Sequence, residues 1–142
     1  MLILHPILQC AATLVALYAL YLGLGRFGSL HLRRKTAFRW KRHVTLGYVS
    51  LGTWLVGMAA GTTVVYLYWH GFFITGTHGR VALVMLPLVV FGLVSGLYMA
   101  RNKRKRKALP LIHGLNNLVA VILALTQVKS GWWVYNVFVQ GG

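Results

Sequence analysis

Four apolar stretches, at about 4–25, 44–69, 80–100 and 111–128, take up most of this chain. Each is close to the roughly 20 residues that an α-helix needs to cross a hydrocarbon layer. Lipid offers the backbone no hydrogen-bond partner, so a spanning segment must be a helix or part of a closed barrel. The alternation expected of barrel strands is absent. Of the 142 residues 58% are hydrophobic and only 15 are charged, too few to coat a soluble domain of this size. The expected fold is an all-α membrane protein: one domain over 1–142, a four-transmembrane-helix up-down bundle. The first run has no positively charged segment before His5 and is longer than the apolar core of a signal peptide, so it is expected to stay in the mature protein.

The charges are all of one sign. There are 15 Lys and Arg and no Asp or Glu. Seven lie between Arg26 and Arg42 and six in RNKRKRK (101–107), which leaves Arg80 and Lys129 elsewhere. These two clusters fall in loops 26–43 and 101–110, on the same side of a four-helix hairpin pair. Basic loops collect on the cytoplasmic side, so both termini are expected on the outer, periplasmic side of a bacterial inner membrane. Anionic headgroups are the natural partners of such clusters. Nucleic acid is not an expected partner, since the chain shows no recognition module. Cys10 stands alone, which excludes a disulfide, a C-x-x-C-H haem attachment and a four-cysteine iron–sulfur site within the chain.

Four times an apolar run opens with histidine: His5, His43, His78 and His113. On the expected topology His5 and His78 lie at the outer level, on the first and third helices. His43 and His113 lie at the inner level, on the second and fourth. Two imidazoles at one depth on two helices of a bundle can supply both axial ligands of a haem. Zinc fits less well, because no Cys, Asp or Glu completes a tetrahedral set at either level.

Each of these histidines is followed 18 residues later by glycine: Gly23, Gly61, Gly96 and Gly131. Eighteen residues are five helical turns, so the glycine shares the histidine's face about 27 Å along. Gly57 and Gly92 occupy nearly the same face at offset 14, as do Ala19 and Gln127. His31 and His70 lead instead to Val49 and Leu88. With 16 glycines in 142 residues, four hits of four is roughly a one-in-six-thousand outcome of composition alone, and still under about one per cent after allowing for some twenty offsets. The suggested meaning is that each helix ligates one macrocycle near its start and offers a side-chain-free patch to a second near its end. Two blander readings stand beside it. Gly57/Gly61 and Gly92/Gly96 are also small-xxx-small motifs of close helix packing, and a single histidine at a membrane interface is commonly just a polar residue at headgroup level.

One histidine on each of four helices, pairing first with third and second with fourth, resembles the cytochrome b561-like membrane cytochromes, and more narrowly their short four-helix bacterial relatives. That resemblance covers nearly the whole chain. It implies two non-covalent b haems, held by His5 with His78 and by His43 with His113, and transmembrane electron transfer. It also implies redox partner proteins, possible quinone contact and possible membership of a larger oxidoreductase. The chain lacks the extra flanking helices and an ascorbate motif of the eukaryotic ascorbate-dependent members. It also lacks the two histidines per helix, about 14 apart, of quinol-oxidising cytochromes b.

Arg42 and the Lys/Arg loops on the inner side, and Arg80 on the outer, are candidate partners for haem carboxylates, with a solvated or lipid-facing charge as the other reading of Arg42. Gln9, Asn116 and Asn117, three or four residues beyond a histidine, are candidate hydrogen-bonding neighbours of the ligands or interhelical bonds. Trp54 and Met85 read as core filling between the levels. The rival readings are a haem-bearing, quinone-reactive anchor subunit of a larger complex and a haem-free structural membrane subunit.

Overall fold

A computed structural model describes residues 2–141 of the chain. It contains four long helices, α1 (Leu4–His31), α2 (Trp40–Trp69), α3 (Thr77–Arg101) and α4 (Ala108–Tyr135), and a short π-helical turn, Asn136–Gln140, that continues α4. All four are long and apolar enough to cross a membrane. Helices run past the apolar stretches at several ends: α1 takes in Arg26 and reaches His31, α2 begins at Trp40, and α4 runs on to Tyr135. The apolar run marks only the part of a helix that lipid must solvate. Arg and Lys are good helix formers, so the helix carries on beyond it.

Local sequence explains the ends. Pro6 and Pro110 lie in the first turns of α1 and α4, where a missing N–H leaves no helical bond unmade. α2 stops at His70, which takes a left-handed conformation with φ 49° and donates its N–H to Tyr66 O. Pro87 sits inside α3.

The helices pack in a ring, α1 on α2, α2 on α3, α3 on α4 and α4 back on α1, which leaves α1/α3 and α2/α4 as the diagonals. Small residues let the α1–α4 side close up: Ala12 and Ala16 meet Ala120 and Ala124 in the buried core. Trp54, Met85, Val89, Leu51 and Val121 fill the middle. Leucine, valine, isoleucine and aromatic side chains are exposed all round the outside, among them Leu14, Val56, Leu83 and Ile122. A face this apolar belongs against lipid.

Candidate functional site

The ring order sets His5 opposite His78 across one diagonal and His43 opposite His113 across the other. Their ring centroids are 6.5 Å apart for His5–His78 and 6.4 Å for His43–His113, with the planes at 79° and 72°. Two metal–imidazole bonds of about 2 Å, with a ring radius of about 1 Å on either side, put trans-ligating imidazoles roughly 6 Å apart, centroid to centroid. Both pairs are close to that spacing. Among the described residues no group of three or more His, Cys, Asp or Glu comes together, so each level brings together two imidazoles without a third ligand of these types.

Three of the four rings are fixed by hydrogen bonds to Nδ1. His43 donates to the carbonyl of Ala19 at 2.8 Å. Nδ1 of His113 lies 2.8 Å from Ser95 Oγ, whose own proton goes to Phe91 O. Nδ1 of His78 lies 3.1 Å from Ser130 Oγ, which in turn donates to Gln127 Oε1. The Ala19 carbonyl can only accept, and where each serine gives its one proton to an acceptor on its own helix the imidazole is the donor there too. Nδ1–H then leaves Nε2 with its lone pair free, the tautomer that metal-binding histidines use. Nδ1 of His5 is buried with no partner at hydrogen-bond geometry, with the backbone of Gly57 the polar group beside it.

The glycines serve the rings of neighbouring helices. A Cβ on Gly23 would stand 3.2 Å from His43 Cε1, one on Gly61 3.0 Å from His5, one on Gly96 3.4 Å from His113 and one on Gly131 3.1 Å from His78. Each contact joins antiparallel neighbours, α1 with α2 or α3 with α4. The fixed offset of 18 is therefore a register: in each hairpin, the histidine of one helix lies level with the glycine of the other, at both ends. Gly57 makes room for the Gln9 amide, and Gly92 for Asn117 Oδ1.

A cavity of about 870 Å³ opens at the His43/His113 level, within the range of cofactor pockets, roughly 300–1,000 Å³. Both histidines, Gly23, Gly92 and Gly96 line it, with Arg26, Lys103, Arg104, Lys105 and Arg106 among its cationic residues. Two more of its lining residues carry buried polar atoms without partners, His31 Nε2 and Tyr48 Oη. An orphaned buried donor costs on the order of 1–3 kcal/mol, and with no acidic side chain in the sequence the chain has no carboxylate side chain to offer these donors. A planar group bearing carboxylates fits this donor set.

Arg42 and Arg80 are both exposed, and Arg42 lies among Arg39, Trp40 and Lys41 in a surface depression instead of in the cavity. Successive helical residues are turned by about 100°, so Arg42 cannot face inward beside His43. Asn116 donates across to Leu88 O on α3, Gln9 to Thr53 O on α2 and Gln127 to His78 O, whereas Asn117 bonds His113 O within its own helix. Ser95 and Ser130 were not singled out by sequence reasoning. They had a signal: each stands 17 residues after a histidine and directly before the offset-18 glycine, as the dipeptide Ser-Gly. Comparison with protein-family models, with curated proteins and with solved structures finds no match for this chain.

Proposed function

We propose that the chain is a di-haem b membrane cytochrome of the cytochrome b561-like kind, which relays electrons between the two faces of a bacterial inner membrane. The observation that carries this reading is the pair of diagonal His–His spacings, 6.5 and 6.4 Å, one near each end of the bundle. Haem, when bound, supplies a one-electron centre at each level. The residues of the chain do the rest. Ala19, Ser95 and Ser130 hold three imidazoles in one tautomer and orientation, which presents Nε2 to iron. The glycines let the rings lie flush against the neighbouring helix. Trp54, Met85 and Val89 keep the space between the levels dry and of low dielectric, which with bis-imidazole ligation sets the potentials. Arg104 and Lys105, which line the same cavity, would offset carboxylate charge at the inner level.

The basic loops, 13 cations against two elsewhere, support a cytoplasmic location for the His43/His113 end, with the termini outside. Nearly all the chain lies in the helices, so electrons reach and leave it through partners. That makes an anchor-subunit role in a larger oxidoreductase a variant of the same reading.

The test is a dithionite-reduced minus oxidised absorbance spectrum of the detergent-purified protein, with extracted haem counted per polypeptide. Two b haems are expected in the wild type, and one each in His43→Ala and His78→Ala. A wild type that carries none after expression with ample haem sinks the proposal.

A further inference from the structure

The sequence holds no acidic side chain, so none of its 15 cations can be neutralised by another side chain. The structure shows what several do instead: they lie on aromatic rings. The Arg26 guanidinium is 6.0 Å from the centroid of Phe38, the Lys103 ammonium 5.0 Å from Trp40, and the Arg106 guanidinium 4.8 Å from Tyr98. All three cations line the cavity that reaches His43 and His113, as do Phe38 and Trp40. Cations held on rings keep a fixed position with their charge unspent. Arginine, tryptophan and tyrosine are the residues enriched at the centres of protein interfaces.

We infer that this ringed mouth is a docking face for an acidic soluble electron-carrier protein, a partner class that rests on the proposed electron-relay function. The placement favours a protein over a lipid headgroup. The stacked cations line the same cavity as the His43/His113 pair, at one end of the bundle, whereas headgroups meet a bundle round its lipid-facing rim. The chemistry asked of the face is modest. One electron crosses per encounter, the carrier and the inner centre changing oxidation state by one in opposite senses, and the chain handles no proton. Such encounters use small, charge-steered interfaces that must also release quickly.

The probe is a plant-type [2Fe–2S] ferredoxin, an acidic one-electron carrier, titrated onto the full chain in nanodiscs of zwitterionic lipid by microscale thermophoresis. Binding needs no electron transfer, so this result is independent of whether haem is present. Affinity is expected to fall at least about tenfold between 50 and 200 mM salt. It should fall about tenfold again in Arg26→Gln/Lys103→Gln/Arg106→Gln. Arg33→Gln/Arg34→Gln/Lys35→Gln, which removes the same charge from residues outside the cavity lining, should cost much less. Equal losses in the two triple variants mean that net charge alone attracts the carrier, and they overturn the docking face. So does ferredoxin binding that disappears when anionic lipid is added to the nanodiscs and is replaced by lipid retention dependent on the same three residues. A haem-free protein that binds ferredoxin in the expected pattern keeps the docking face and removes the electron relay.

Discussion

Gly61 gives up a side chain so that the imidazole of His5 can lie against α2: a Cβ there would stand 3.0 Å from His5 Cε1. The other three glycine–histidine contacts are progressively looser, at 3.1 Å for Gly131, 3.2 Å for Gly23 and 3.4 Å for Gly96. Alanine gains about 1 kcal/mol over glycine in a helix, and overpacking costs about 1–3 kcal/mol. Gly61→Ala is therefore expected to destabilise the bundle by about 1 kcal/mol and to turn the His5 ring, while Gly96→Ala is neutral or mildly stabilising. Thermal melts of the four single variants in one detergent check the order. A Gly96 variant worse than the Gly61 variant would contradict it.

Much of this was legible in the sequence, and the parts that were not have physical reasons. Hydropathy marks the four helices because lipid solvates only apolar side chains, and the alternating direction of the helices then sorts the histidines by level. The offset of 18 is visible too, but its meaning depends on which helix lies alongside, and that is a fact of register between helices. Gly23 on α1 serves His43 on α2, a relation no single-helix pattern expresses. On the inner side the sequence points to Arg42 and to the Lys/Arg loops as a whole, and only the packing of the helix ends separates the cations that line the cavity from Arg42, which does not. Arg26 and Lys103 come to the cavity from the end of α1 and from the loop before α4.

Gln9 and Gly57 form a pair that can be taken apart. The Gln9 amide occupies the place of a Gly57 side chain and donates to Thr53 O at 3.2 Å. Gly57→Ala alone must expel the amide and strand it among apolar groups, at a cost of about 1–3 kcal/mol. Gln9→Ala alone loses one hydrogen bond, about 1 kcal/mol. The double variant is expected to recover most of the Gly57→Ala loss, with a coupling energy of at least about 1 kcal/mol in a double-mutant cycle. Additive losses would mean that the two side chains do not share that space.

Ser95 and Ser130 hold His113 and His78 in the same way, one at each level. Removing such a partner of a metal-binding histidine weakens metal retention by about 10–100-fold. In the proposed cytochrome, Ser95→Ala should therefore speed haem loss from the inner level and Ser130→Ala from the outer, each leaving the other level unchanged. Transfer of haem to excess apomyoglobin, followed with His5→Ala and His43→Ala backgrounds to isolate each level, separates the two. The bond at 2.8 Å is shorter than that at 3.1 Å, so the inner effect is expected to be the larger.

Tyr48 distinguishes a cavity made for an occupant from one that is a packing fault. Its hydroxyl is buried without a partner in the wall beside His43 and His113. In the haem-free protein that group is a pure cost, so Tyr48→Phe should raise stability by about 1 kcal/mol or more, the desolvation penalty of an unmade hydrogen bond. If the occupant accepts a hydrogen bond from the hydroxyl, the same change weakens the loaded protein. The stabilisation that haem gives should then shrink in Tyr48→Phe as the haem-free baseline rises, two movements of opposite sign from one deleted oxygen. Melts of both forms, with and without the substitution, measure all four corners. An equal gain in both forms would show that the hydroxyl is idle with haem bound, and the inner group's polar contacts would then have to come from His31 and the cations alone.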